Sequence, residues 1–176
     1  MSEFSSKIIK SLCLLIFLNS CAYFNTFYNA KSSFELAENM RINENEIENI
    51  NRNDYYNKAI EKSDIVIKDF SNSKYVDEAK FIKAKSLYFL SRYEESNIVF
   101  SEIIISKNLE FYDEAKYWKS MIKFKNNQNI EAINDLNELL KEVDKNELKS
   151  QILLSIGEIN LNNYDYENAY INFKKG

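Results

Sequence analysis

Asp77-Glu78-Ala79-Lys80-Phe81 returns as Asp113-Glu114-Ala115-Lys116-Tyr117, 36 residues further along the chain. A second series keeps nearly the same period. The small residues Ala59, Ser96, Ala132 and Ala169 stand 37, 36 and 37 apart, and Tyr56, Tyr93, Asn129 and Tyr166 precede them by three. Self-similarity with a period of roughly 20–50 residues marks a stacked-repeat architecture. A third set, Ala84, Ser120 and Gly157, falls in the segment before each of the last three small residues. Two antiparallel helices joined by a short turn approach closely only where side chains are small, so the two sets are expected to face each other. Phe100, Leu136 and Phe173, each four residues after a small one, are then placed to fill the space between neighbouring pairs.

Outward from these segments the apolar pattern stays helical. Phe27, Ala30, Phe34 and Ala37 recur at spacings of three and four, as one face of a helix requires. The chain has no proline and two glycines, so little interrupts long helices or builds tight hairpins and phosphate loops. An all-α chain is expected, with helices over 23–40, 54–70, 75–90, 93–106, 111–126, 129–142, 146–162 and 165–175. The polar, Asn-rich stretch from Arg41 to Asn53 reads as a loop or a frayed helix end.

Composition removes several function classes. With 176 residues the chain has room for one ordinary domain or about four such pairs. Its net charge is −4, and lysines alternate with glutamates without gathering into a basic stripe, so nucleic acid is not an expected partner. Histidine is absent, which excludes most zinc sites and the Ser-His and Cys-His nucleophile systems. Carboxylates such as Glu94 and Glu95 sit among lysines on helix surfaces and read as solvated charge. No catalytic, cofactor-binding or metal-binding residue is assigned, and the chain is not expected to be an enzyme.

The first 20 residues read as an export signal. Lys7 and Lys10 form a short basic region, followed by the eight-residue apolar run from Ser11 to Leu18. A membrane-spanning helix needs about 20 apolar residues, whereas a signal peptide's apolar core needs about 7–15. Leu18-Asn19-Ser20-Cys21 resembles the lipobox of bacterial lipoproteins, with Asn19 departing from the usual small residue. That resemblance implies lipidation at Cys21. Cys13 would leave with the leader, so the mature chain would have no partner for a disulfide. Ala22 after the cysteine implies sorting to the outer membrane, by likeness to enterobacterial lipoproteins. The aromatic stretch from Ala22 to Ala30 could rest at a bilayer interface, although Phe27 belongs to the apolar face already traced and is expected in the core.

The repeats resemble the tetratricopeptide family, and within it the bacterial envelope proteins. Phe70-Ser71-Asn72-Ser73-Lys74-Tyr75-Val76-Asp77-Glu78-Ala79 is similar to a junction found in BamD-type outer-membrane assembly lipoproteins and in YbgF-like (CpoB-like) periplasmic repeat proteins, with Ser71 in place of a proline. Lys80 and Lys116 stand where the consensus often has tryptophan, and Val66, Ile103 and Leu139 replace a late alanine. The resemblance implies a right-handed solenoid of about four tetratricopeptide-like helix-turn-helix pairs. It divides the chain into a lipoprotein signal peptide (1–20), a lipidated cysteine with first helix and polar linker (21–53), and the repeats (54–176). The last pair leaves Phe173 without a polar capping helix, which reads as a chain continuing past Gly176 or as an end that docks a partner.

In this family ligands commonly lie along the face of the first helices, which here implies Phe81, Lys85, Tyr88, Tyr117, Met121 and Phe124 as a partner-binding groove. The competing reading packs the same rings against the neighbouring pair. The function implied is a lipid-anchored scaffold facing the periplasm, with envelope proteins as partners and BamD-like β-barrel assembly as the sharper form. Envelope organisation of the YbgF type and a substrate-binding or accessory lipoprotein are the alternatives.

Overall fold

The computed structural model describes residues 24–42, 49–106 and 110–176, so the lipobox with Cys21 lies outside the described residues. Among them are eight helices and no strand: α1 (24–42), α2 (Asn49–Asp69), α3 (Val76–Phe89), α4 (Tyr93–Ser106), α5 (Tyr112–Lys125), α6 (Asn129–Glu142), α7 (Asn146–Asn162) and α8 (Tyr166–Lys175). Local chemistry favours these ends. Asp77-Glu78 and Asp113-Glu114 lie in the first turns of α3 and α5, and Lys123 and Lys125 in the last turn of α5, each sign matching the helix dipole. Asp165 caps α8 by accepting from the Asn168 backbone N–H at 3.2 Å.

One boundary departs from the sequence reading. Helix α2 begins at Asn49 rather than 54, so part of the stretch read as a loop or a frayed helix end is helical. Asparagine and aspartate are poor helix formers but not helix breakers, arginine is a good former, and this segment contains neither glycine nor proline. As a result Tyr56 sits two turns inside α2, whereas Tyr93, Asn129 and Tyr166 open α4, α6 and α8.

The period is also written in the turns. Ser91, Asn127 and Tyr164, at spacings of 36 and 37, have φ of 60°, 61° and 61°, and follow α3, α5 and α7. In two of these turns the backbone closes a Schellman motif. The Asn127 N–H donates to the Phe124 carbonyl at 3.0 Å and the Gln128 N–H to Lys123 at 2.9 Å. Likewise Tyr164 donates to Leu161 at 3.0 Å and Asp165 to Asn160 at 2.9 Å.

The chain divides into two compact units, one ending at Leu90 and the other starting at Ser91. In the first unit α2 packs on α3. Phe27, Ala59, Val66, Ala79 and Ile82 form a core cluster edged by Phe34, Ile67 and Tyr75. The Phe27 ring stacks on Tyr75 at 4.4 Å, and Tyr56 on Phe89 at 5.4 Å. Ion pairs Lys31–Glu78 (2.9 Å) and Lys83–Asp64 (2.6 Å) lie at its surface.

In the second unit each helix packs on the next, from α4 to α8, and α5 also touches α7. The small residues of this unit are buried: Ser96, Ala132 and Ala169 on α4, α6 and α8, and Ser120 and Gly157 on α5 and α7. Phe100 and Leu136 are fully buried, each contributing about 1.5–3 kcal/mol of apolar burial. Phe173 instead keeps 42% of its surface exposed.

Candidate functional site

The partner groove implied by resemblance does not lie open. Phe81, Tyr88, Tyr117, Met121 and Phe124 are all buried, and only Lys85 is partly accessible. In the second unit the cause is direct. The first-helix row points at the next first helix, and the Tyr117 hydroxyl meets the Ser155 hydroxyl of α7 at 2.9 Å in a buried hydrogen bond. Desolvation holds the Tyr117 phenol above its ordinary pKa, so this contact is between neutral groups. In the first unit, the Lys85 ammonium lies 5.0 Å from the Phe34 ring centre and 5.8 Å from that of Phe81, a cation over aromatic faces. These side chains are packing elements of the repeats, as the competing reading of the same rings has it.

Register shows where the same positions are uncovered. Counting from the small residues Ala84, Ser120 and Gly157, the rows Phe81-Lys85-Tyr88 and Tyr117-Met121-Phe124 correspond to Leu154, Glu158 and Leu161 on α7. Leu154 is 46% and Leu161 47% exposed, and Glu158 is exposed between them. Helix α8 extends this surface. Tyr166, Tyr170 and Phe173 share one stripe at spacings of four and three, and all three are exposed. Phe173 joins the two helices, because its ring lies over Gly157, where a Cβ would come within 2.6 Å of it. Leu154 and Leu161 of α7 and Tyr166, Tyr170 and Phe173 of α8 are thus exposed apolar side chains of the second unit.

A smaller feature lies among α4, α5 and α6, where Ile104, Lys116, Lys119, Ser120, Asp135 and Glu138 line a cavity of about 200 Å³. Its lysines and Asp135 are occupied. Lys116 pairs with Glu142 at 2.5 Å, Lys123 pairs with Asp135, and Lys119 donates to Ser101 at 2.7 Å. Desolvation pushes the Lys119 ammonium below its ordinary pKa, with Lys123 adding to the effect. The arrangement is two ion pairs and a lysine held by a hydroxyl on helix flanks. Glu95 is likewise held by Arg92 through two bonds of 2.7 Å. Among the described residues no group of three or more His, Cys, Asp or Glu side chains is placed to hold a metal ion, and no helix is long and apolar enough to cross a membrane.

No family model matches the sequence, and no curated protein matches it. Solved structures do. A crystal structure of MamA is similar at a TM-score of 0.51 and 15% identity, over 84% of this chain and 75% of that one. Residues 41 to the end of MamA from Desulfovibrio magneticus RS-1 are similar at a TM-score of 0.52 and 14% identity, over 84% of this chain and 92% of that one. The fold is a tetratricopeptide-like helical repeat. At such identity the likeness concerns the fold alone, and it agrees with the periodicity of the small residues and of the left-handed turn residues.

The exposed side chains of α7 and α8 are not legible in sequence as a set. In sequence Phe173 stands out at the end of the last pair, but Leu154 and Leu161 carry the same pattern as buried rows. Their exposure became visible only once the register was compared with burial.

Proposed function

We propose that this protein is a scaffold for protein–protein interaction, tethered by lipid on Cys21 to the periplasmic face of the outer membrane and without catalytic activity of its own. The observation that carries the scaffold reading is the tetratricopeptide-like repeat fold, on which Leu154, Leu161, Phe173, Tyr170 and Tyr166 are exposed apolar side chains. Aromatic and aliphatic side chains with a polar tip or neighbour are the composition of an interface centre, where tyrosine gives large contact area at small entropic cost. The export signal and lipobox support the tether, and the likeness of the 70–79 junction to BamD-type lipoproteins supports a part in outer-membrane β-barrel assembly as the finer form of the function.

The test is site-specific photocrosslinking in cells of the source organism, with the crosslinking residue at Leu161 and, as a control, at the exposed Ile98 of α4. A crosslink from Leu161 to a component of the barrel-assembly machinery supports the full reading. Crosslinks to peptidoglycan synthases would move the function to envelope organisation. Equal, unspecific products from both positions would remove the α7–α8 surface from consideration.

A further inference from the structure

At the opposite end of the sequence the first unit carries a second aromatic cluster with its own geometry. Phe24 and Tyr28, one turn apart on α1, are 53% and 58% exposed, and their rings stack at 6.5 Å. Tyr75, from the junction between α2 and α3, approaches Phe24 at 6.2 Å and stacks on the buried Phe27. The exposed Lys74 beside it places its ammonium 5.0 Å from the Tyr75 ring centre. Residues some fifty positions apart in sequence are thus gathered at one end of α1. Core packing accounts for Phe27 and gives no reason for Phe24 and Tyr28 to present rings outward.

Chain geometry says what lies beside them. Phe24 is the third residue after Cys21, and an extended chain covers at most about 3.6 Å per residue, so the two Cα atoms are within about 11 Å of each other. The headgroup layer on each side of a bilayer is about 5–7 Å thick. A lipid on Cys21 therefore brings Phe24 to the headgroup layer or its immediate edge, where tyrosine and phenylalanine are favoured. The occupant is also set by charge. Lys31 is neutralised by Glu78, which leaves aromatic area with Lys74 in place of a basic patch. Insertion of rings, and not attraction to anionic lipid, is the term available.

We propose that Phe24, Tyr28 and Tyr75, with Lys74, form a membrane-contacting face that seats the first unit on the bilayer, so that the α2–α3 junction meets the headgroups as well as the N-terminal turn of α1. This rests on the lipid-anchor reading and goes beyond it, because a tether alone fixes no orientation.

The experiment uses the full-length protein, matured in cells and purified with its lipid, in phosphatidylcholine vesicles. One nitroxide label is placed at Asn72→Cys in the junction or at Ile42→Cys at the other end of α1, about 27 Å away along the helix from Phe24. Acylation of Cys21 leaves the introduced thiol as the sole free one, and the mass of the N-terminal peptide reports that acylation in the same sample. The expected result is that the label at 72 is more accessible to oxygen than to a water-soluble nickel reagent, while the label at 42 reads as aqueous. Phe24→Ser with Tyr28→Ser should return position 72 to the aqueous value. A label at 72 that reads as aqueous on acylated protein overturns the membrane face and leaves the anchor standing. An unmodified Cys21 overturns both.

Discussion

Tyr56 shows how much one side chain holds in the first unit. It is fully buried, stacked on Phe89, and its hydroxyl donates to Glu38 at 2.5 Å. The same carboxylate accepts from Arg41 through two bonds of 3.1 Å, and the Arg41 guanidinium lies 4.6 Å from the Phe89 ring centre. Burial, and then the Glu38 hydrogen bond, hold the Tyr56 phenol far above its ordinary pKa, so it is a neutral donor at neutral pH. Tyr56→Phe keeps the ring and removes that donor from a largely buried carboxylate. It should lower stability by about 1.5 kcal/mol in urea unfolding, with an unchanged denaturant slope. The sequence showed Tyr56 only as one member of a series with Tyr93, Asn129 and Tyr166. Its burial comes with Phe34 and Glu38 of α1 and Phe89 of α3, which meet it in space and which no repeat position announces.

At the scale of elements, the turns and the α7–α8 crossing are where the fold can be probed. Ser91, Asn127 and Tyr164 adopt a left-handed conformation that costs an ordinary L-residue about 1–2 kcal/mol, a cost glycine does not carry. Tyr164→Gly should therefore raise the thermal midpoint, by the equivalent of about 1 kcal/mol, since its side chain is 78% exposed and leaves little packing behind. A drop in midpoint would mean that its edge contact with Tyr166 at 6.5 Å outweighs the backbone cost. The crossing is a separate matter. A methyl group at 157 meets the Phe173 ring, so Gly157→Ala and Phe173→Ala should be strongly non-additive. With Phe173 present the alanine displaces the ring, whereas in the Phe173→Ala background it should stabilise α7 by about 1 kcal/mol through helix propensity. A double-mutant cycle read by thermal unfolding checks this, and additive effects would contradict the contact.

For the whole molecule the contrast between buried and open rows makes a prediction about function. Tyr88→Ala with Phe124→Ala removes two buried aromatic side chains, at about 3–5 kcal/mol each, and should abolish cooperative folding before any partner is tested. Leu154→Ser with Tyr170→Ser touches exposed side chains of α7 and α8, and should keep the helical circular dichroism while losing the crosslinks made from position 161. If the first variant folds normally and the second unfolds, the assignment of core and interface is inverted. What the sequence by itself determined was the repeat: a 36–37-residue spacing of small residues, helical periodicity and the lack of proline sufficed, because close helix approach demands small side chains at fixed positions. Periodicity also located the faces of each helix, since a face is a property of the helix alone. Only the tertiary structure decided which faces are covered. Leu154 and Leu161 carry the same pattern as Tyr117 and Phe124. Tyr117 is closed by a neighbouring first helix that meets it through Ser155, and coverage of this kind depends on what packs there and not on the residues that wait to be packed.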